Sequence, residues 1–122
     1  MYKGNKMKDL KISKDLIIKV MDIKYPFSDV QLNSNILSWW REDVFFEETV
    51  KINIYEFAFK CKVLVFNKYK IYLSSELGED SEASLFWTAN FKIKKENKSF
   101  YGDTEFEAII KACEFILNDK RK

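Results

Sequence analysis

The stretch "FYGDTEFEAIIKACEFIL", residues 100–117, places Asp103, Glu105 and Glu107 within five residues just behind Gly102. Clustered carboxylates of this kind can hold a divalent cation or act as an acid–base pair. Either use needs further partners, and the chain contains no histidine. That removes the usual general base near neutral pH, the commonest zinc ligand and every Ser-His or Cys-His nucleophile arrangement. A helix start accounts for all three acids without further ligands. Thr104 is a good N-cap, Glu107 three residues on completes a capping box, and Asp103 and Glu105 lie where the helix dipole favours negative charge. Phe106, Ile109, Ile110, Cys113, Ile116 and Leu117 then form one apolar face. The carboxylates read as a cap, and no catalytic residue, metal or cofactor is expected.

The remaining chemistry-bearing residues are scattered. Cys61 and Cys113 lack any CxxC spacing, and each falls inside an apolar helical pattern, so both read as small buried hydrophobes, reduced and inert. Gly4, Gly78 and Gly102 are isolated, so no glycine-rich phosphate loop exists. An enzyme is not expected.

Two sets of surface candidates remain. The acidic runs "REDVFFEE" (41–48) and "ELGEDSE" (76–82), with the adjacent tryptophan pair, nominate Trp39, Trp40, Arg41, Glu42, Asp43, Glu79, Asp80 and Glu82 as partner-binding residues. A carboxylate-rich surface can occupy a basic groove by standing in for phosphates. The bland alternative is solvated loops and core tryptophans. The second set is Lys92, Lys94, Lys95 and Lys98 in "KIKKENK", which with Phe91, Phe100 and Tyr101 could track a nucleic-acid backbone and stack bases. Lysines guarding a strand edge explain the same pattern. A net charge of only +2 and just two arginines, Arg41 and Arg121, weigh against nucleic acid.

The elements that must position these residues are legible in part. Ser13 caps a short helix with Leu16, Ile17, Val20 and Met21 on one face, which Pro26 is expected to stop. Residues 27–50 carry the weakest pattern: "NSNILSWWRED" (33–43) fits either a short helical turn or a strand, with Trp39-Trp40 as an edge-strand or loop anchor as much as a core element. Asn53, with Glu56 three residues on, opens a second helix whose first apolar face is Ile54, Phe57, Ala58, Cys61, Leu64 and Val65. Phe59, Val63 and Phe66 add a second apolar side, so this helix is expected to be buried widely. "KIYLSSEL" from Lys70, "LFWTANFKIKK" from Leu85 and "FY" at 100–101 read as three strands joined by the turns "GEDSEAS" and "ENKS". The strand from Leu85 should be central, with Leu85, Trp87, Ala89, Phe91 and Ile93 on its buried face.

The expected fold is therefore α+β, a three- to four-stranded antiparallel sheet packed with two to three helices as a single domain over residues 1–122. Residues 1–12 and 119–122 are expected to fray. "MYKGNKMKDLK" carries no apolar segment of a signal peptide, and no apolar run approaches the length of a membrane span, so a cytoplasmic protein is expected.

From Asn53 to Leu117 the pattern resembles the phage ABA sandwich domain family of small bacteriophage and prophage proteins. Trp87 and Ala89 in "FWTANFKI" correspond to that family's W-x-A strand. Asp103, Thr104, Ala108, Ile109 and Ala112 correspond to its A-D-T-P-x-x-A-I-x-x-A helix start, with Glu105 in place of the proline. The resemblance implies a sandwich of sheet and helices and a mobile-element accessory role, and brings no catalytic residue. The expected function is non-enzymatic binding to a host or phage protein, in one form as an inhibitor of host defence. Nucleic-acid binding through Lys92–Lys98 is the alternative, and a homodimer is left open.

Overall fold

The computed structural model describes residues 12–42 and 47–119, an α+β arrangement of three helices and two antiparallel three-stranded sheets. Helix α1 (Lys14–Met21) begins where Ser13 Oγ accepts from the Leu16 N–H at 3.1 Å, and it buries Leu16 and Ile17. It ends upstream of Pro26. Asp22 adopts a left-handed conformation, φ 55°, and its N–H closes on the Ile18 carbonyl. Asp tolerates that region, so the terminator is a local cap and not the proline.

The segment left open between helix and strand forms a sheet of its own. Strands β1 (Gln31–Asn33), β2 (Ile36–Glu42) and β3 (Glu47–Asn53) pair in that order. Leu37 faces Ile52 and Trp39 faces Val50 across the ladder, while Trp40 opposes Thr49 and Arg41 opposes Glu48. Leu37, Trp39 and Ile52 are buried. Of the two readings open for Trp39 the core one holds, since it is buried in the middle strand of a sheet and not at an edge or loop.

Asn53 ends β3 and caps α2 (Ile54–Tyr69), its Oδ1 accepting from the Tyr55 N–H at 2.7 Å. Ile54, Phe57, Ala58, Cys61 and Val65 are buried along one face, as their spacing predicts. Lys70 closes the helix at φ 59°, its N–H donating to the Phe66 carbonyl at 2.8 Å. That left-handed cap delays the next strand, so β4 runs Ser74–Glu79 instead of starting at Lys70. Ile71 and Leu73 are nevertheless buried and Tyr72 points outward.

Strands β4, β5 (Leu85–Ile93) and β6 (Glu96–Gly102) form the second sheet with β5 central, as expected. Ala89, Phe91 and Ile93 are buried and Trp87 packs on the core, but Leu85 at the strand's start is exposed. The β5–β6 turn is Lys94-Lys95, both with positive φ as a tight two-residue hairpin requires, and "ENKS" is strand.

Gly102 then passes so close to the last helix that a Cβ there would stand 2.8 Å from the Ala108 nitrogen. Helix α3 (Glu105–Asn118) starts on the Thr104 cap, Oγ1 accepting from the Glu107 N–H at 3.1 Å. It lies across β4, β5 and β6 and packs its other side on α2, with the Phe57 and Phe106 rings 6.3 Å apart edge to face. The chain thus runs three strands and a helix twice over, and the two helices meet in one core. Each fully buried Ile or Phe there contributes about 1.5–3 kcal/mol.

Candidate functional site

The carboxylates behind Gly102 diverge. Glu107 is buried, with Oε1 2.9 Å from Lys111 Nζ and Oε2 left without a hydrogen-bond partner. Glu105 Oε2 accepts from the Ser75 hydroxyl at 2.5 Å, and Ser75 Oγ in turn accepts from Lys62 Nζ at 3.4 Å. Serine, lysine and glutamate are residue types found in nucleophile arrangements. Here the Ser75 hydroxyl donates to a carboxylate and accepts from an ammonium, and the cluster ties α2, β4 and α3 together. Among the described residues, no group of three or more Cys, Asp or Glu could hold a metal ion.

Cys61 and Cys113 are buried and unbridged, as expected. The Cys113 Sγ lies 3.9 Å from the Cys61 carbonyl oxygen, and burial together with the neighbouring Cys113 pushes the Cys61 thiol up. Such thiols make poor nucleophiles.

The acidic and tryptophan candidates do not assemble into one surface. Trp39 is 2% exposed, its Nε1 donating to the Tyr25 hydroxyl at 3.4 Å and its ring 6.0 Å from Phe27, so it is core and cannot contact a partner. Trp40, on the opposite face of the strand, is 40% exposed. The Arg41 guanidinium lies over the Tyr25 ring at 4.3 Å and pairs with Glu48 at 3.3 Å. Glu42 ends β2 with its side chain outside the described residues, where Asp43 lies entirely. Glu79, Asp80 and Glu82 sit on the other sheet, at the β4–β5 connection. The Asp80 carboxylate accepts from the N–H groups of Glu82 at 2.8 Å and Ser84 at 3.0 Å, so it builds the turn.

The lysine candidates do gather, at the β5–β6 hairpin, but without the aromatics that stacking needs. Phe91 and Phe100 stack on each other at 6.0 Å and both meet Phe115, in or against the core. Only Tyr101 of the three is exposed, and Lys98 pairs with Glu96 at 3.3 Å. Lys92, Lys94 and Lys95 guard a hairpin tip.

The most distinctive surface lies on α2. Phe59 is 66% exposed, Val63 38% and Phe66 48%, although their apolar character predicted a widely buried helix. The burial expectation fails on this side because α3 and α1 cover the inner and one flanking side of α2, and among the described residues nothing packs on the outer one. The three side chains form a ridge, with exposed Tyr55 at its start and Tyr72, 76% exposed, beside its far end. A groove runs along each flank. One, of about 520 Å3, lies toward Val20 of α1 and is lined by Glu56, Lys60, Leu64 and Lys68. The other, of about 550 Å3, lies toward β4 with Leu73 at its floor and Lys62, Tyr72, Ser74 and Ser75 along its wall. Lys70 Nζ stands 5.5 Å above the Phe66 ring. The sequence signal for this surface was the second apolar side of α2, read as burial.

No described helix is long and apolar enough to cross a membrane. No family model matches the chain, and no curated protein or solved structure is significantly similar to it.

Proposed function

We propose that this chain is a non-enzymatic accessory protein that docks a partner protein on the outer face of α2. The observation that carries the reading is the exposed ridge of Phe59, Val63 and Phe66, extended by Tyr72 and flanked by two grooves. Contiguous exposed apolar surface marks interaction sites, whereas scattered single residues do not. Aromatic anchors carry most binding energy at interfaces, and concave flanks let a partner's side chains insert on either side of them. The resemblance of residues 53–117 to the phage ABA sandwich family adds a context: a phage- or prophage-borne protein acting on a host protein, with inhibition of a host defence as one form.

Nucleic-acid binding through Lys92, Lys94, Lys95 and Lys98 is the weaker reading, because the phenylalanines meant to stack bases pack inward. Site-specific photo-crosslinking separates the possibilities. Benzoylphenylalanine at position 59 or 66 should give a discrete protein adduct in the native cell, and the same probe at exposed Tyr101 should not. Equal adducts from positions 59 and 101, or RNA or DNA adducts from position 101 alone, would overturn the docking face.

A further inference from the structure

We infer that the partner presents an acidic amphipathic segment, an apolar stripe bordered by Asp or Glu, to the outer face of α2. The inference rests on the docking reading above and specifies its chemistry. Lys60 and Lys68 line the groove toward α1, Lys62 lines the groove toward β4, and Lys70 overhangs Phe66 at the end of the ridge. Among the described residues at these grooves the acids are Glu56 in the first and Glu105 beside the second; Glu105 and Lys62 meet on Ser75 and offset one another, which leaves Lys60, Lys68 and Lys70 against Glu56. Lysines therefore outnumber acids around an apolar strip. A helix laid along the ridge with carboxylates on its borders would meet a lysine on each side, which fixes register and accelerates encounter.

Other occupants fit less well. A second copy applying the same face would set these lysines against one another, since a two-fold interface brings like patches together. The chain's own segment "MYKGNKMKDLK" carries four lysines and one aspartate, the same sign as the grooves. An anionic bilayer would satisfy the lysines, but it offers a broad surface that leaves the flanking groove, with buried Leu73 at its floor, unfilled. The recess suits inserted side chains.

The test uses fluorescence anisotropy with three probes: a labelled amphipathic peptide with leucines on one face and glutamates on its borders, its lysine-bordered counterpart, and vesicles of phosphatidylglycerol and phosphatidylcholine. The glutamate peptide should bind at least about tenfold more tightly than the lysine peptide, and raising salt from about 50 to 300 mM should narrow the gap. The Lys60→Glu/Lys68→Glu variant should invert the preference, while Lys60→Gln/Lys68→Gln should reduce it without unfolding risk from new charge repulsion. Phe59→Ser should weaken both peptides. Equal binding of the two peptides, abolished by Phe59→Ser, would overturn the acidic partner and leave the docking face standing. Binding only to vesicles would overturn the acidic partner in favour of a lipid surface. Absence of peptide and vesicle binding, with a dimer in sedimentation that Phe59→Ser dissociates, would assign the face to a second copy. Absence of all of these would overturn both readings.

Discussion

Phe57 and Phe59 stand two residues apart on the same helix, and truncating each to alanine should have opposite consequences. Phe57 is fully buried, with its ring against Phe106. Phe57→Ala removes a core ring and leaves a cavity, at a cost of about 3–5 kcal/mol. Phe59 keeps 66% of its surface in water. Full burial of a phenylalanine contributes about 1.5–3 kcal/mol, so the covered third contributes roughly 0.5–1 kcal/mol. Alanine recovers about 0.5 kcal/mol through its higher helix propensity. The net change for Phe59→Ala is therefore within about 0.5 kcal/mol of zero. In a chain of 122 residues each kcal/mol moves Tm by about 3–5 °C. Thermal melts followed by circular dichroism at low micromolar concentration should show Phe57→Ala lowered by about 10–20 °C and Phe59→Ala shifted by less than about 3 °C. A loss above about 1.5 kcal/mol for Phe59→Ala at that dilution would mean the ring is packed within the monomer, and the exposed ridge would not exist.

Three further outcomes follow from particular contacts. Thr104→Ala should destabilise by about 0.5–2 kcal/mol in urea unfolding, because it strips the cap from the Glu107 N–H, and Thr104→Ser should restore most of the loss. Native thiol titration should find Cys61 and Cys113 unreactive, with both thiols appearing on denaturation; rapid labelling of either in the folded state would remove them from the core. Burial holds the Glu114 carboxyl above its ordinary value of 4.5, against a backbone hydrogen bond from Ser13 that acts the other way. A raised folded pKa means the native state holds the proton more tightly than the unfolded chain does. The stability contributed is complete below 4.5 and is lost as pH rises through the folded value. Glu114→Gln should therefore gain Tm relative to the parent above that window and converge with it at lower pH, as pH-dependent melts would show.

Capping and periodicity made the helices legible. Ser13, Asn53 and Thr104 each accept the backbone bond that their place before an apolar repeat predicts. The alternation from Leu85 to Ile93 likewise predicted a central strand. The first sheet was harder to read because Trp39-Trp40 are adjacent and both apolar, which erases the period-two contrast that separates a buried from an exposed face. Its inward and outward tryptophans are distinguished only by the pairing with Val50 and Thr49. The start of β4 was misplaced because a left-handed Lys70 has no signature when glycine does not occupy the position. The candidate docking face was visible as residue type and invisible as exposure. Periodicity reports that Phe59, Val63 and Phe66 share a side of α2, but which side is covered depends on where α3 and α1 settle, a tertiary fact that no local pattern holds.

The docking face on α2 is tested most directly by a two-dimensional amide NMR titration of the isotope-labelled protein with the glutamate-bordered peptide. The expected result is a set of shift changes centred on Tyr55, Phe59, Lys62, Val63, Phe66 and Lys70 and on the adjoining Tyr72–Ser75 segment, with β2 and the β5–β6 hairpin unmoved. Changes centred on Trp40 and Arg41 or on Lys92–Lys98, with α2 silent, would contradict it.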